Sequence, residues 1–167
     1  MTRVFFPGSF DPITKGHMNV VERAIEIFDE VVNAVLQTSK KDKGLFSIEE
    51  RVEMIKEIYK KVENIRVVTS DGTAVDLASL YECNAILRGI RDVADYAEEN
   101  RVAHVNCDIS PNNIDTLCLL ANGEYQYISS TIVKDVWKND KDYSKYVDPV
   151  VARKLVLKKE VLKNGTR

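Results

Sequence analysis

A short apolar run, Val4-Phe5-Phe6, meets Pro7-Gly8 and soon gives way to a helical stripe, and this handover constrains the fold more than any other feature of the chain. Val21, Ala24, Ile25 and Phe28 recur at i, i+3, i+4 and i+7, the spacing of one buried helix face, and predict a helix over 16–29. A second apolar run at 31–36 follows. Strands apolar on both faces need cover on both, so a strand-helix-strand opening of this kind predicts parallel pairing rather than a hairpin. Pro7-Gly8 is expected to end the first strand, leaving 7–15 as the connection into the helix.

The alternation persists. Ser47-Ile48-Glu49-Glu50 fits a capping box, and Val52, Ile55, Tyr59 and Val62 mark the buried stripe behind it. A third strand at 65–68 breaks at Asp71-Gly72, and Val75, Leu77, Ala78 and Tyr81 favour a short helix. A fourth strand at 85–87 is expected to stop at Arg88-Gly89, ahead of a helix from 92 to about 105. Ser110-Pro111-Asn112-Asn113 reads as a loop before a fifth strand at 116–121. After the Asn122-Gly123 turn, Ser129 or Ser130 can cap a helix bearing Ile132, Val133, Val136 and Trp137, and Asp148-Pro149 starts a last helix that runs to about 163. The fold class is therefore α/β: a mostly parallel five-stranded sheet with helices on both faces and ligands at the carboxyl ends of the strands. Residues 1–167 are expected to form a single domain with a C-terminal helical portion at about 130–163.

Charge and cysteine use narrow the function. A formal charge of -2 supplies no general footprint for nucleic acid or an anionic membrane, so any polyanion site must be local. Cys83, Cys107 and Cys118 lack the paired spacing of a zinc or redox motif and read as free thiols. No stretch approaches a membrane span, and the cytoplasm is the expected compartment.

Four segments at strand ends carry candidate chemistry. In PGSFDPITKGH, Ser9 and Thr14 can donate hydroxyl hydrogen bonds and the following helix offers unpaired N–H groups to an anion. The segment is neither a P-loop nor a GxGxxG turn. His17 reads either as a structural imidazole or as a phosphate donor. The loop Lys40-Lys41-Asp42-Lys43 is either solvated or neutralises phosphoryl charge. Arg88 and Arg91 either grip phosphate bidentately or form a surface pair balanced by Asp92 and Asp95, with Gly89 tightening a turn between them. Ser129-Ser130 caps its helix and can contact phosphate from the same terminus.

PGSFDPITKGH is similar to the TxGH form of the nucleotidyltransferase signature. Together with the lysine loop before GLFSIEER, the RGIRDVADYAEE segment and YISSTIVK, it makes residues 3 to 160 resemble the bacterial phosphopantetheine adenylyltransferase family. The resemblance implies a Rossmann-like nucleotidyltransferase fold and transfer of AMP from ATP to 4'-phosphopantetheine, giving dephospho-coenzyme A and pyrophosphate. It implies His17 and Lys41 as catalytic groups, and Ser9, Thr14, Lys41, Ala74 and Arg88 on the acceptor side. Ser9, Phe10, His17, Gly89, Arg91, Asp95, Glu99, Ser129 and Ser130 would face ATP. It further implies Mg²⁺ entering with ATP, a homohexamer of two trimers and feedback by coenzyme A. Two departures stand out: Ala97-Glu98 where a glutamate is usual at the first position, and a lysine loop one residue longer than a common form. Aligned from its N-terminal side the loop selects Lys41; aligned back from Phe46, Asp42 or Lys43 competes. Tyr125, Tyr127 and Trp137 fit either a subunit interface or the core.

Overall fold

Five strands, β1 (Arg3–Gly8), β2 (Glu30–Val35), β3 (Ile65–Thr69), β4 (Ala85–Ile90) and β5 (Asp115–Leu120), lie parallel in the order β3-β2-β1-β4-β5. The computed structural model describes residues 1–36, 44–110 and 112–164, so the predicted loop of Lys40, Lys41, Asp42 and Lys43 lies outside the described residues. The helices are α1 (Lys15–Ala24), α2 (Ile48–Ile58), α3 (Ala74–Leu80), α4 (Val93–Ile109), α5 (Ser130–Lys138) and α6 (Pro149–Asn164).

Successive strand side chains point to opposite faces. Val4 and Phe6 thus join Val31, Val35 and Leu87 under α1, α2, α5 and α6, whereas Phe5 joins Val32, Ala34 and Ile86 under α3. Val4, Phe5, Val31, Val32, Ile86 and Leu87 expose no surface, and burying each such side chain stabilises the fold by about 1.5–3 kcal/mol. Cys83, Cys107 and Cys118 are free thiols.

Three boundaries differ from the sequence expectation because of contact with a distant segment. β1 does not stop at Pro7-Gly8. The Arg3 carbonyl accepts from Asn84 and the Gly8 carbonyl from Leu36, so the backbone groups of alternate residues, Pro7 among them, face β4. Proline has no N–H to donate. The β1–β4 register holds only Val4↔Ala85 and Phe5↔Ile86 before the strands part, while β1 stays paired with β2 from Arg3 to Gly8.

β4 runs past Leu87 through Arg88 and Gly89 because β5 continues beside it, with Arg88↔Cys118, Gly89↔Leu119 and Ile90↔Leu120. Gly89 is therefore not a turn residue. A Cβ there would stand 2.9 Å from Val20 Cγ2, and glycine is what lets α1 close onto β4. α1 itself ends at Ala24, short of the predicted 16–29. Asp29 N–H and Glu30 N–H both donate to the Thr2 carbonyl, at 2.9 and 3.2 Å, and this steers the chain into β2. Ile25 and Phe28 still pack on the core.

α4 extends to Ile109, beyond the predicted 105, and lies against β4, β5 and α3 without burying any of its residues. The predicted caps of α2 and α6 form. Ser47 Oγ accepts from Glu50 N–H at 3.2 Å, Ser47 N–H donates to Glu50 Oε2 at 2.7 Å, and Asp148 Oδ1 accepts from Val150 N–H at 2.8 Å. The pairs Lys154–Glu53, Arg153–Glu57 and Lys158–Glu50 then line α6 along α2.

Trp137 belongs to the core: it is buried and its Nε1–H donates to the Leu155 carbonyl at 3.0 Å. Tyr127 is exposed. Trp137→Ala should destabilise the protein by about 3–5 kcal/mol, read as a lower denaturant midpoint in equilibrium unfolding.

Candidate active site

Where β1 and β4 part, a cavity of about 290 Å³ opens at the carboxyl edge of the sheet. Pro7, Ser9 and Phe10 wall it from β1 and the turn beyond, Gly16 and His17 from α1, and Arg88, Gly89 and Arg91 from β4 and its end. Asp95 and Glu99 come from α4, Ser129 and Ser130 from the start of α5, and Val20, Ala121, Tyr125 and Ile128 supply an apolar side. Two residues predicted to contact substrate stand elsewhere. Thr14 is fully buried beneath His17, and Ala74 opens α3 beyond the end of β3, packed on the α3-side core.

Thr14 is the N-cap of α1, and its hydroxyl accepts from His17 N–H at 3.4 Å. In return, Thr14 N–H donates to His17 Nδ1 at 3.1 Å. The sequence reading turned this hydroxyl toward phosphate; the structure turns it to the cap and, at 3.0 Å, to the His17 ring. Because Nδ1 accepts from a backbone N–H, the neutral ring carries its proton on Nε2. Phe10, held at φ 46°, packs edge-on against the imidazole with centroids 5.1 Å apart. Burial first, and then the charges of Arg91 and Arg88, lower the His17 pKa to about 4. His17 thus meets the cavity as a neutral N–H donor at neutral pH.

Both arginines are braced by α4. Arg88 Nε donates to Glu99 Oε2 at 2.6 Å, Nη2 meets Glu99 Oε1, and Nη1 donates to the Pro7 carbonyl at 2.9 Å, filling an acceptor that β4 leaves behind where it departs. Arg91 makes a bidentate pair with Asp95, at 2.7 and 2.9 Å, and its backbone N–H reaches the same carboxylate at 3.1 Å. That hydrogen-bonded guanidinium holds the Asp95 carboxyl below its ordinary pKa and is itself raised by the pair. The alternative of arginines balanced by acids is thus met with one change of partner: Arg88 takes Glu99, and the pairs stand in the cavity wall. Such planar forks suit phosphate oxygens.

The N-termini of α1 and α5 both end at the cavity, bringing two positive dipole ends to one place. Ser129 Oγ accepts from Ile132 N–H at 3.1 Å, and Ser130 Oγ donates to the Pro12 carbonyl at 2.8 Å. Among the described residues, no group of three or more His, Cys, Asp and Glu side chains could hold a metal ion.

Sequence reasoning missed Asp11 and Arg51, both buried behind the Ser9–Phe10 turn. A signal for Arg51 was present. It lies three residues after Ile48 and four before Ile55, so an arginine occupies the apolar stripe of α2.

A cavity at the switch point of a parallel sheet, walled by two paired arginines, two helix N-termini and a neutral histidine donor, is a place suited to the phosphates of a nucleotide. The cytidylyltransferase-like family matches residues 5–136, a span running from β1 into α5. Two solved structures share the fold. One, assigned as a nicotinate-nucleotide adenylyltransferase from Vibrio parahaemolyticus, has a TM-score of 0.62 at 17% identity, over 93% of this chain and 99% of that one. The other, a bifunctional NMN adenylyltransferase/ADP ribose pyrophosphatase from Francisella tularensis complexed with AMP and a manganese ion, has a TM-score of 0.64 at 16% identity, over 89% of this chain and 45% of that one. Closer in sequence are the phosphopantetheine adenylyltransferases of Thermobifida fusca, 40% identical over 99% of this chain and 100% of that protein, and of Finegoldia magna, 40% identical over 87% and 89%. The chain belongs to the phosphopantetheine adenylyltransferase family.

The depressed His17 pKa carries a sign. Between pH 6.5 and about 4 the unfolded chain binds a proton there that the folded chain does not, so stability falls as pH drops through this window and the loss is complete below it. Thermal melts of wild type and His17→Gln across pH 4–7 should converge on a constant difference near neutrality, with wild type losing more stability on acidification.

Proposed function

We propose that the protein transfers the adenylyl group of ATP to the phosphate of 4'-phosphopantetheine, giving dephospho-coenzyme A and pyrophosphate, in coenzyme A synthesis. The observation that carries this reading is the opening between β1 and β4, walled by His17, Arg88, Arg91 and the α5 N-terminus, in a chain 40% identical over its length to a phosphopantetheine adenylyltransferase.

The acceptor phosphate is already an anionic nucleophile. Its oxygen attacks the α-phosphorus in line, a new P–O bond forms as the bond to the β-phosphate oxygen breaks, and pyrophosphate leaves with the electron pair. No covalent serine or general base is needed, so catalysis rests on orientation and on donors aimed at the developing charge. His17 gives Nε2–H to an α-phosphoryl oxygen and loses no proton. Thr14 holds the ring in the tautomer that makes this donor available. Arg88 takes acceptor phosphate or pyrophosphate, and Arg91, Asp95, Glu99, Gly89, Ser9, Phe10, Ser129 and Ser130 form the ATP side.

Arginines already seated on Glu99 and Asp95 need little reordering to meet phosphate. Lys41, with Lys43 as its alternative, neutralises charge between the substrates, and Ala74 borders the pantetheine arm. Mg²⁺ accompanying ATP would supply charge neutralisation at the polyphosphate.

α4 buries nothing and exposes Val93, Tyr96, Val102, Val105 and Ile109, beside Leu117 and Leu120 of β5. An apolar surface of this kind fits contact with further copies, and a homohexamer of two trimers is the assembly we assign. A single domain at 1–167, a cytoplasmic location and feedback by coenzyme A complete the reading. Among the described residues no helix is long and apolar enough to cross a membrane.

Pyrophosphate release with ATP and 4'-phosphopantetheine, with the product mass identified as dephospho-coenzyme A, tests the activity; nicotinamide mononucleotide or glycerol phosphate outperforming pantetheine phosphate would reassign the acceptor. His17→Ala should lower kcat about 10²–10³-fold with little change in ATP affinity, as for a lost transition-state donor. Light scattering of the purified protein should return six times the 19.0 kDa chain mass.

A further inference from the structure

Two helix N-termini reach the cavity, and their spacing is held by contacts that lie outside it. Ser130 and Lys134 stand four residues apart, one above the other on the same side of α5. Ser130 Oγ donates to the Pro12 carbonyl at 2.8 Å, and Lys134 Nζ donates to Asp11 Oδ2 at 3.3 Å. α5 thus grips two successive residues of the turn between β1 and α1. A third contact lies at Gly16, where a Cβ would stand 3.1 Å from the Ile128 carbonyl, so glycine lets the start of α1 pass close to the chain entering α5.

The Asp11 end of this clamp is itself fixed. The carboxylate is buried, Oδ2 accepts from Leu45 N–H at 2.8 Å and Oδ1 from Phe46 N–H at 2.9 Å, and Arg51 Nε lies 3.4 Å from Oδ1. The far end of α5 is held differently, by burial of Val133 and Trp137. Apolar burial is non-directional, so the aim of the helix start comes from Ser130 and Lys134. That aim matters to an anion. Ser129 Oγ takes Ile132 N–H at 3.1 Å and the Ser129 carbonyl takes Val133 N–H at 3.0 Å, which leaves the Ser130 and Thr131 N–H groups no acceptor within the helix. Ser129 and Ser130 line the cavity, and Lys134 stands outside its wall.

The geometry points to Lys134 as a positioning residue for the nucleotide phosphates: through the Asp11 carboxylate it holds the N-terminus of α5 at a fixed distance from that of α1, so that two positive dipole ends meet one polyphosphate. The role rests on the adenylyl-transfer reading, which puts Ser129 and Ser130 on the ATP side.

Lys134→Met keeps the aliphatic stem and removes the ammonium, and Asp11 keeps the Leu45 and Phe46 amides as donors. Once circular dichroism shows the variant folded, equilibrium dialysis should find ATP bound about tenfold more weakly than by wild type. In the same variant kcat/KM for ATP should fall roughly 10²-fold, while KM for 4'-phosphopantetheine stays within about twofold. General loosening of the fold would move both substrates together. Lys134→Arg, which keeps a cation for the carboxylate, should recover most of the loss. Lys134→Met should cost much less in an Asp11→Asn background than in wild type, whereas Arg91→Ala should cost the same with or without Lys134. A folded Lys134→Met protein with wild-type ATP affinity and kcat/KM overturns the role. So does a full additional loss from Lys134→Met on top of Asp11→Asn, which would make the lysine a direct phosphate ligand. Should Lys134→Met fail to fold, Lys134→Gln carries the same expectations, and wild-type behaviour there overturns the role equally. Wild-type protein that binds ATP yet releases no pyrophosphate with any phosphate acceptor would instead end the adenylyl-transfer reading, and the dialysis comparison would still decide whether Lys134 sets the α5 terminus.

Discussion

The parallel ladder between β1 and β4 holds for two residue pairs and then opens, and most of the side chains lining the cavity take their position from that opening. A parallel sheet whose order reverses direction between β1 and β4 leaves a crevice at that point. Pro7 stands at this point with no N–H to offer β4, and its carbonyl is claimed by Arg88, a residue of β4 itself. The sheet thus exchanges a backbone rung for a guanidinium. That substitution keeps the carbonyl satisfied at the edge of the core and carries a cation into the cavity.

Charge in the cavity is arranged in two ways. The arginines are paired with carboxylates of α4, which hold the guanidinium planes while leaving outer N–H groups for an anion. His17 is kept neutral by burial and by those same arginine charges, and its tautomer is selected by a backbone N–H at the helix cap. A neutral imidazole donor and two fixed cations differ in what they favour: the cations attract any phosphate, while a single directed N–H favours the oxygen on which charge grows. α4 bears on this directly. It contributes both carboxylates yet buries no residue, so those ion pairs join its packing against β4 and β5 in seating it on the sheet.

Local features were legible in the chain wherever the physical cause is local. The Ser47–Glu50 box and the Asp148–Pro149 start each depend on residues within a turn or two, and each formed as read. The site was also legible as a set: Ser9, Phe10, His17, Arg88, Gly89, Arg91, Asp95, Glu99, Ser129 and Ser130 all reach one cavity. The Thr14 hydroxyl caps α1, a role that looks the same in sequence as a hydroxyl beside a phosphate turn; the reach of His17 back to Thr14 N–H completes the cap. Arg88-Gly89 was misread as a turn because an arginine and a glycine suggest a break, whereas pairing with β5 keeps both in the strand.

By itself, the sequence determined the alternation of strands and helices, most of the faces they bury and the segments expected to carry phosphate chemistry, since periodicity, capping and side-chain type are properties of neighbouring residues. The tertiary structure alone decided where β1 and β4 separate, which carboxylate each arginine meets, and that Asp11 and Arg51 lie buried together joining residues 9–11 to 44–46. Those are long-range choices among many chemically equal partners, and they are settled by which segments the sheet order brings within hydrogen-bonding distance. PGSFDPITKGH reads as a phosphate turn; the parted strands and the buried ion pair behind it give that turn its geometry.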